Sequence, residues 1–436
     1  MADVRPFPGL RFAATERLDA LVTPPYDVIS PEAQARYYAR DPHNIIRLEL
    51  GRDEPGDDDL DNRYSRAAVT FAEWRRDGVL AQDAPSLYIY EQEFSEGESR
   101  VTRLGIQARV RLHPWADGVV LPHERTLTKA KSDRLHLLNA CAANLSPVMT
   151  LYDDSDHTLA TALAAARDRA PDVNITDETG EGHRLWRVDD SAFATRVAGF
   201  FAGRKLYIAD GHHRYETALT YRDEQAAARK GLAADDPANF VLMTLVAVED
   251  PGLVVWPTHR LVRGLDAEAL TALRARLDTL VTWRALSGDA ATTWLAALAA
   301  ESAATPALVI VTRDGAQLVT LTEAGKAAMA RVTIEGQAQS AAWRTLDVAV
   351  AQELVLGEGA GISREDIRDG DRVSYARDAA DAVRAVRERA ADMALLLRAT
   401  PPAALRDVAL AGDRMPQKST YFYPKLITGL VINPLW

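Results

Sequence analysis

Asp210, Gly211, His212, His213 and Arg214 stand in a row. Just ahead of them, residues 205–209 form an uninterrupted, mostly apolar run, which predicts a strand covered on both faces. Asp210-Gly211 breaks that run. From Tyr215 the apolar period changes to three and four, through Ala218, Leu219 and Ala226, which predicts a helix starting about one residue after the arginine. A helix start leaves its first N–H groups outside the helical ladder and carries the positive end of the dipole. Gly211 would let a ligand approach the backbone closely. Two imidazoles and a guanidinium add donors matched to phosphate oxygens. The expectation is a phosphate or anion site. The plain alternative is a capping cluster, or a buried, hydrogen-bonded core histidine at position 212 or 213.

Four other stretches carry chemistry. Pro24-Pro25 fixes an extended segment and holds Tyr26 and Asp27 in one pose, either laid into a site or as a turn with Asp27 on the backbone. His123, Glu124, Arg125 and Thr126 precede a predicted helix bearing Lys129, Lys131 and Arg134. No His stands at 127, so the zincin pattern His-Glu-x-x-His fails. Here Glu124 is either a reactive carboxylate or a helix cap. His259 and Arg260 either face the anion site or form a polar strand end. Near the C-terminus, Lys418, Ser419, Thr420, Tyr421, Tyr423 and Lys425 surround Pro424. Lysines and hydroxyls around a proline turn suit phosphate contact, though without the Gly-rich run of a P-loop.

These groups need a frame. Ser30-Pro31-Glu32 is a helix start, with an N-cap and Pro at the first position. The acidic stretch 53–61 reads as a solvated loop, followed by a helix that Gly78 ends. Residues 87–94 and 103–112 predict a hairpin around 95–98. Its second strand sets Leu104, Ile106, Ala108, Val110 and Leu112 on one face. Arg103, Gln107, Arg109 and Arg111 on the other read as a solvated face. A buried strand at 144–152, a helix at 158–169, a strand at 184–188 and a helix at 191–201 lead to the Asp210 turn. Residues 238–248 and 253–256 read as a strand pair. Residues 265–325 read as a small α/β module with helices near 266–278 and 289–302 and a hairpin at Asp314-Gly315. Residues 343–356 and 375–398 read as helices, the second long and amphipathic. The expected domains are 1–264, 265–325 and 326–436.

Composition narrows the classes. Hydrophobic content of 47% and charged content of 26% are ordinary for a globular protein. A net charge of −11 argues against a general nucleic-acid binder, which needs a basic face. Cys141 is the single cysteine, so there is no internal disulfide and no cysteine zinc site, as in a reducing cytoplasm. The N-terminus lacks a signal pattern, and no apolar run approaches the roughly 18–20 residues of a membrane span.

The turn Gly211-His212-His213-Arg214-Tyr215 resembles the signature of the ParB/sulfiredoxin-like superfamily. Sulfiredoxins carry Gly-Cys-His-Arg-Tyr there. His212 replaces that cysteine, which argues against sulfinic-acid reduction, because a thiolate attack needs sulfur there. With Asp210 in front, the turn is nearest to that of the free serine kinases. The chain is also similar over its length to an uncharacterised bacterial family, domain of unknown function one-thousand-and-fifteen. The matching blocks are Pro24-Pro25-Tyr26-Asp27-Val28, His123-Glu124-Arg125-Thr126, the Asp210 turn, Pro257-Thr258-His259-Arg260, and Lys418 to Lys425.

The resemblance implies an α/β (α+β) fold, with a ParB/sulfiredoxin-like nucleotide-binding core, a small α/β insertion and a helical C-terminal part. It implies a nucleotide-dependent phosphotransferase acting on a small hydroxyl metabolite, free serine or phosphoserine, in either direction. Glu124 matches the kinases' catalytic glutamate, and the catalytic set is Glu124, Asp210 and His213. Gly211, His212, Arg214, Lys418, Ser419, Thr420 and Lys425 would hold phosphate or nucleotide. Tyr26, Asp27, His123, Arg125, Thr126, His259 and Arg260 would line the substrate. Asp210 would hold Mg²⁺ beside ATP or ADP. Expected partners are the nucleotide and a small substrate, with a homodimer as a further expectation and neither membrane nor nucleic acid. The alternatives are a ParB-like nucleotide switch without small-molecule catalysis, and a metal-dependent phosphohydrolase using His123, His212, His213 and His259.

Overall fold

Strand Leu87–Glu96 turns through Gly97, at φ +59°, into Ser99–Arg111, the hairpin expected there. The structure is a computed structural model that describes residues 1–125 and 128–436, and the side chains of all of these except 128–130. Alternation along the second strand buries Ile106, Ala108 and Val110 in a hydrophobic core. The opposite face is only partly solvated, which corrects the sequence reading: Arg103 is 2% exposed and Gln107 1%, while Arg109 and Arg111 are half-buried. The C-terminal segment covers its Arg103 end. Arg103 Nη2 donates to the Pro424 carbonyl at 2.6 Å, and Gln92 Nε2 donates to the Lys425 carbonyl at 3.0 Å. A contact between positions this distant in the chain leaves no mark on local periodicity.

The chain divides into two compact units. The first comprises Met1–Pro122, Thr126–Val254 and Pro424–Trp436; the second comprises His123–Arg125 and Val255–Tyr423.

In the first unit the hairpin belongs to a nine-stranded mixed sheet. Its path runs Val120–Leu121, Leu206–Asp210, Val148–Tyr152, Phe240–Ala247, Ser99–Arg111, Leu87–Glu96, Gly182–Val188, Val173–Thr176, and the ninth strand, Val4–Arg5, pairs with Ser99–Arg111 off this path. Leu206–Asp210 pairs in parallel with Val120–Leu121 and antiparallel with Val148–Tyr152. Pairing on both sides explains its apolar run: Leu206, Tyr207, Ile208 and Ala209 are all buried. Helix Ser191–Phe201, capped by Asp190, packs Phe193, Val197, Phe200 and Phe201 into the same core. Helix Pro31–Arg40 starts on the Ser30 cap, and Arg63–Arg76 ends just before Gly78.

The second unit is built on an antiparallel six-stranded sheet, Val281–Leu286, Gly315–Leu321, Ala307–Thr312, Met393–Leu396, His259–Val262, Val373–Ala376. Three of these strands come from the stretch 265–325. The expected long helix at 375–398 is a strand, a short helix Ala379–Arg387 and a second strand. The helix is amphipathic, but the run Met393–Leu396 is wholly buried and extends through the sheet centre, and so overrides the helical period. Val254–Trp256 pairs with Tyr421–Tyr423, not with the preceding strand as read from the turn between them. No described helix is long and apolar enough to cross a membrane.

Candidate functional site

Leu206–Asp210 ends on a carboxylate, and the next residue reverses the chain. Gly211 adopts φ +92°, a left-handed conformation that glycine enters without strain. The helix then starts at once. It spans His212–Ala228, so His212, His213 and Arg214 occupy its first turn, earlier than the start read near Tyr215. The Tyr215 amide bonds back to the Gly211 carbonyl at 3.0 Å. Tyr215 and Ala218 anchor the helix in the core, and the Tyr215 hydroxyl donates to the His113 carbonyl at 2.9 Å. The rigid result places the positive end of a 17-residue helix beside Asp210.

Asp210 is held by two cations. Arg214 Nη2 lies 2.7 Å from Oδ2, and Lys425 Nζ pairs with Oδ1. Burial pushes the Asp210 carboxyl up, but Lys425, Arg214 and His212 together outweigh it and hold the group well below the ordinary carboxylate range. Arg214 also donates to the Pro147 carbonyl. Its guanidinium folds over the turn: a β-carbon on Gly211 would sit 3.0 Å from Arg214 Nε and Nη2. Gly211 therefore makes room for Arg214. Lys425 is positioned through its backbone by Arg103 and Gln92, as described above.

The N-terminal block reaches the same neighbourhood. Tyr26 lies with Arg134 over its ring at 4.0 Å. Burial raises the Tyr26 hydroxyl to about 12 against the pull of Arg214 and Arg134. Asp27 is exposed, and its charge reaches Arg214. Beside them lies a carboxylate that sequence reasoning missed. Glu49 is 2% exposed, accepts a hydrogen bond from Ser146 Oγ at 2.9 Å, and lies 3.6 Å from Arg134 Nη1. Burial raises its carboxyl, and Arg134, Arg214 and Ser146 offset this only in part. A signal was present: Glu49 is an acid among Ile45, Ile46, Leu48 and Leu50. A cavity of about 40 Å³ is lined by Glu49, Arg134, Ser146, Arg214 and Thr217, among others.

The remaining candidates fall in the second unit. Glu124 Oε1 accepts the Lys418 amide at 3.0 Å, where Lys418 has φ +56°. His123 is buried, with Nε2 3.1 Å from Thr420 Oγ1, and its carbonyl accepts the Met415 amide at 2.7 Å. Arg260 is buried and donates to the carbonyls of Thr258, Gln417 and Lys418. Burial lowers its guanidinium to about 10, while Tyr375 and Glu124 oppose the shift. His259 Nδ1 accepts the Leu397 amide at 3.2 Å, and burial, with Arg260, brings the imidazole down to about 4. Ser419 Oγ donates to the Pro416 carbonyl. Arg125 pairs with Glu335 at the surface. The tail loop is thus packed, with Lys418 exposed. Thr126 lies outside the described residues.

Candidates from the first unit are Tyr26, Asp27, Asp210, Gly211, His212, His213, Arg214 and Lys425; those from the second are His123, Glu124, Arg125, His259, Arg260, Lys418, Ser419 and Thr420. A larger cleft of about 950 Å³ in the second unit, walled by Arg274, Trp283, Arg313 and Asp392 among others, holds none of them.

The profile of the family described as "Protein of unknown function (DUF1015)" matches residues 4–349. The chain belongs to this family. The DUF1015 match takes in the Tyr26, Glu124, Asp210 and Arg260 blocks and stops short of the Lys418–Lys425 loop. No curated protein matches the chain. Among solved structures, this DUF1015 member is similar to a free serine kinase in complex with AMP, at 11% identity and a TM-score of 0.35. That likeness covers 75% of this chain and 92% of the other. A point mutant of the free serine kinase in complex with ADP gives 11% identity and a TM-score of 0.35 over the same shares. A conserved hypothetical protein from Pyrococcus furiosus is similar at 10% identity and a TM-score of 0.35, covering 75% of this chain and 95% of that one.

Proposed function

We propose that this DUF1015 member is a nucleotide-dependent phosphotransferase acting on a small hydroxyl metabolite of the serine/phosphoserine type. The observation that carries the reading is the Asp210 turn: a carboxylate at a strand end, two cations on it, and a helix N-terminus directly behind. Phosphoryl transfer asks a protein for positioning and for neutralisation of spreading negative charge more than for covalent help. The first-turn backbone of the helix, with His212, His213 and Arg214, supplies donors for phosphate oxygens. Lys425 is the second cation on Asp210. Its ammonium suits an incoming phosphate as well as Asp210, and Arg214 is also bonded to the Pro147 carbonyl. The Asp-Gly-His-His-Arg order, which resembles the turn of the free serine kinases, supports the same assignment.

A Mg²⁺ ion accompanying the nucleotide would neutralise the phosphates. Asp210 fits such an ion, because a carboxylate offers about four acceptor positions and Arg214 and Lys425 take two. By the family resemblance Glu124 takes the proton from the acceptor hydroxyl. Removal of such a base costs about 10²–10⁴ in rate.

The test is thermal unfolding with ATP, ADP, CTP and phosphoserine, with and without Mg²⁺, on the wild type and His213→Ala. A ligand at 100 times its Kd adds about 2.7 kcal/mol, a readable shift. A shift with ATP or ADP that His213→Ala loses supports the reading. A shift with CTP alone favours the ParB-like switch, and tightly held transition metal with phosphatase activity favours the phosphohydrolase. No shift with any nucleotide sinks the nucleotide site.

A further inference from the structure

A second constellation lies on the hairpin between Val173–Thr176 and Gly182–Val188. His183 on its second strand is 0% exposed. Its Nδ1 is 2.8 Å from the Tyr90 hydroxyl. Its Nε2 lies on the other side of the ring, 3.3 Å from Asp177 Oδ2, and has no other partner among the described residues. Asp177 is oriented by the turn itself. Its Oδ1 accepts the Thr179 amide at 2.9 Å, the Thr179 hydroxyl at 2.7 Å and the Glu181 amide at 3.0 Å. This leaves Oδ2 turned toward the imidazole. Glu181 is 9% exposed, and one donor atom from each of Asp177, Glu181 and His183 lies within 4.8 Å of the other two.

We propose that Asp177, Glu181 and His183 bind one divalent transition-metal ion of the zinc type. Two carboxylates balance its charge and a neutral imidazole supplies the third ligand. With Nδ1–H donating to the Tyr90 oxygen, Nε2 keeps its lone pair for the metal, the arrangement that orients most metal-bound histidines. The imidazole favours zinc, iron or nickel over magnesium and calcium, which take oxygen ligands. Zinc bonds of about 2.0–2.2 Å bring tetrahedral ligand atoms to roughly 3.4 Å apart, a contraction that the Asp177–Glu181 turn can make. A three-ligand set leaves room for water or another group at the metal. The Arg103 guanidinium feels the charges of both Glu181 and Asp210, so the ion would also bear on the segment that carries Lys425. The proposal stands independently of the nucleotide reading.

The test uses the full chain stripped with chelator, titrated with Zn²⁺ and separately with Mn²⁺ by calorimetry, with metal content and thermal unfolding read in parallel. One zinc per chain and a raised Tm are expected. Glu181→Gln and His183→Gln should each weaken binding at least tenfold, and Tyr90→Phe about 10–100-fold. Asp210→Asn should keep the zinc, which separates this site from any ion at the Asp210 turn. If His183→Gln does not fold, Glu181→Gln and Tyr90→Phe, checked by circular dichroism, carry the comparison. A wild type that takes up neither metal at about 0.1 mM, or a Glu181→Gln chain that binds zinc as tightly as wild type, overturns the proposal.

Discussion

Lys425 closes an ion pair on Asp210 from 215 residues further along the chain. Both side chains are mostly buried, at 12% and 20% exposure, so the pair is shielded from solvent and only weakly screened. Lys425→Ala leaves Asp210 to Arg214 and the weaker influence of His212, and breaking a buried pair from one side costs about 3 kcal/mol. Urea unfolding at neutral pH should show a loss near that size. If Lys425 also meets phosphate, the same variant loses the ADP-induced shift in Tm, while Lys425→Arg keeps part of both. An unchanged midpoint would mean the ion pair does not hold the C-terminal segment.

Asp210 should set an acid-sensitive part of stability. Its carboxyl is held below its ordinary value in the folded chain, because Lys425 and Arg214 outweigh burial. The folded state then binds fewer protons than the unfolded state as pH falls below about 3.9. The stabilisation is complete above that pH and drains away as pH drops through the folded value. Asp210→Asn should be less stable than wild type at pH 7, and the gap should narrow steadily below about pH 4. Denaturant midpoints at three pH values decide it, and a constant gap would contradict the assignment.

How much of this was legible follows from range. The hairpin at 87–111, the helix Ser191–Phe201 and the strand before Asp210 rest on neighbours in sequence, and period and caps announced them. So did the anion-suited order of residues at 210–214. The burial of Arg103 and the seat of Lys425 arise from strands and tail meeting across the chain, which alternation alone cannot express. The stretch 375–398 misled because Ala379–Arg387 is amphipathic and the flanking strands are only four residues each. The Asp177 turn carries Asp-Glu-Thr-Gly, a turn signal that was there to be read.

His259 should behave as a neutral imidazole. Burial and Arg260 bring it down to about 4, and its Nδ1 already accepts the Leu397 amide. The folded state therefore takes up its proton later than the unfolded state, whose value is about 6.5. The corresponding stability is present above about pH 6.5 and is lost as pH falls toward 4. Imidazole resonances followed by NMR should include one that stays unprotonated at pH 5 and disappears in His259→Asn. An assigned His259 signal with a midpoint near 6.5 would refute the buried environment.

Glu49 reverses the sign. Burial raises its carboxyl, and Arg134, Arg214 and Ser146 do not fully compensate. The folded chain then holds the Glu49 proton more tightly than the unfolded chain, so ionisation weakens the fold as pH rises from about 4.3 through the raised value. Glu49→Gln removes that penalty and keeps an acceptor for Ser146 Oγ. Arg134 is not stranded by the change, because Asp133 Oδ2 lies 2.6 Å from its Nη2 and the Glu49 carbonyl still accepts from Nη1 at 2.9 Å. Relative to wild type, Glu49→Gln should therefore gain stability as pH rises from about 4 to 7. The two should converge below about pH 4, where the wild-type carboxyl is neutral as well. Urea midpoints of both chains across that range read the difference. A loss of several kcal/mol in Glu49→Gln at pH 7 would mean that the ionised carboxylate is a net stabiliser, and that Arg134 depends on it more than on Asp133.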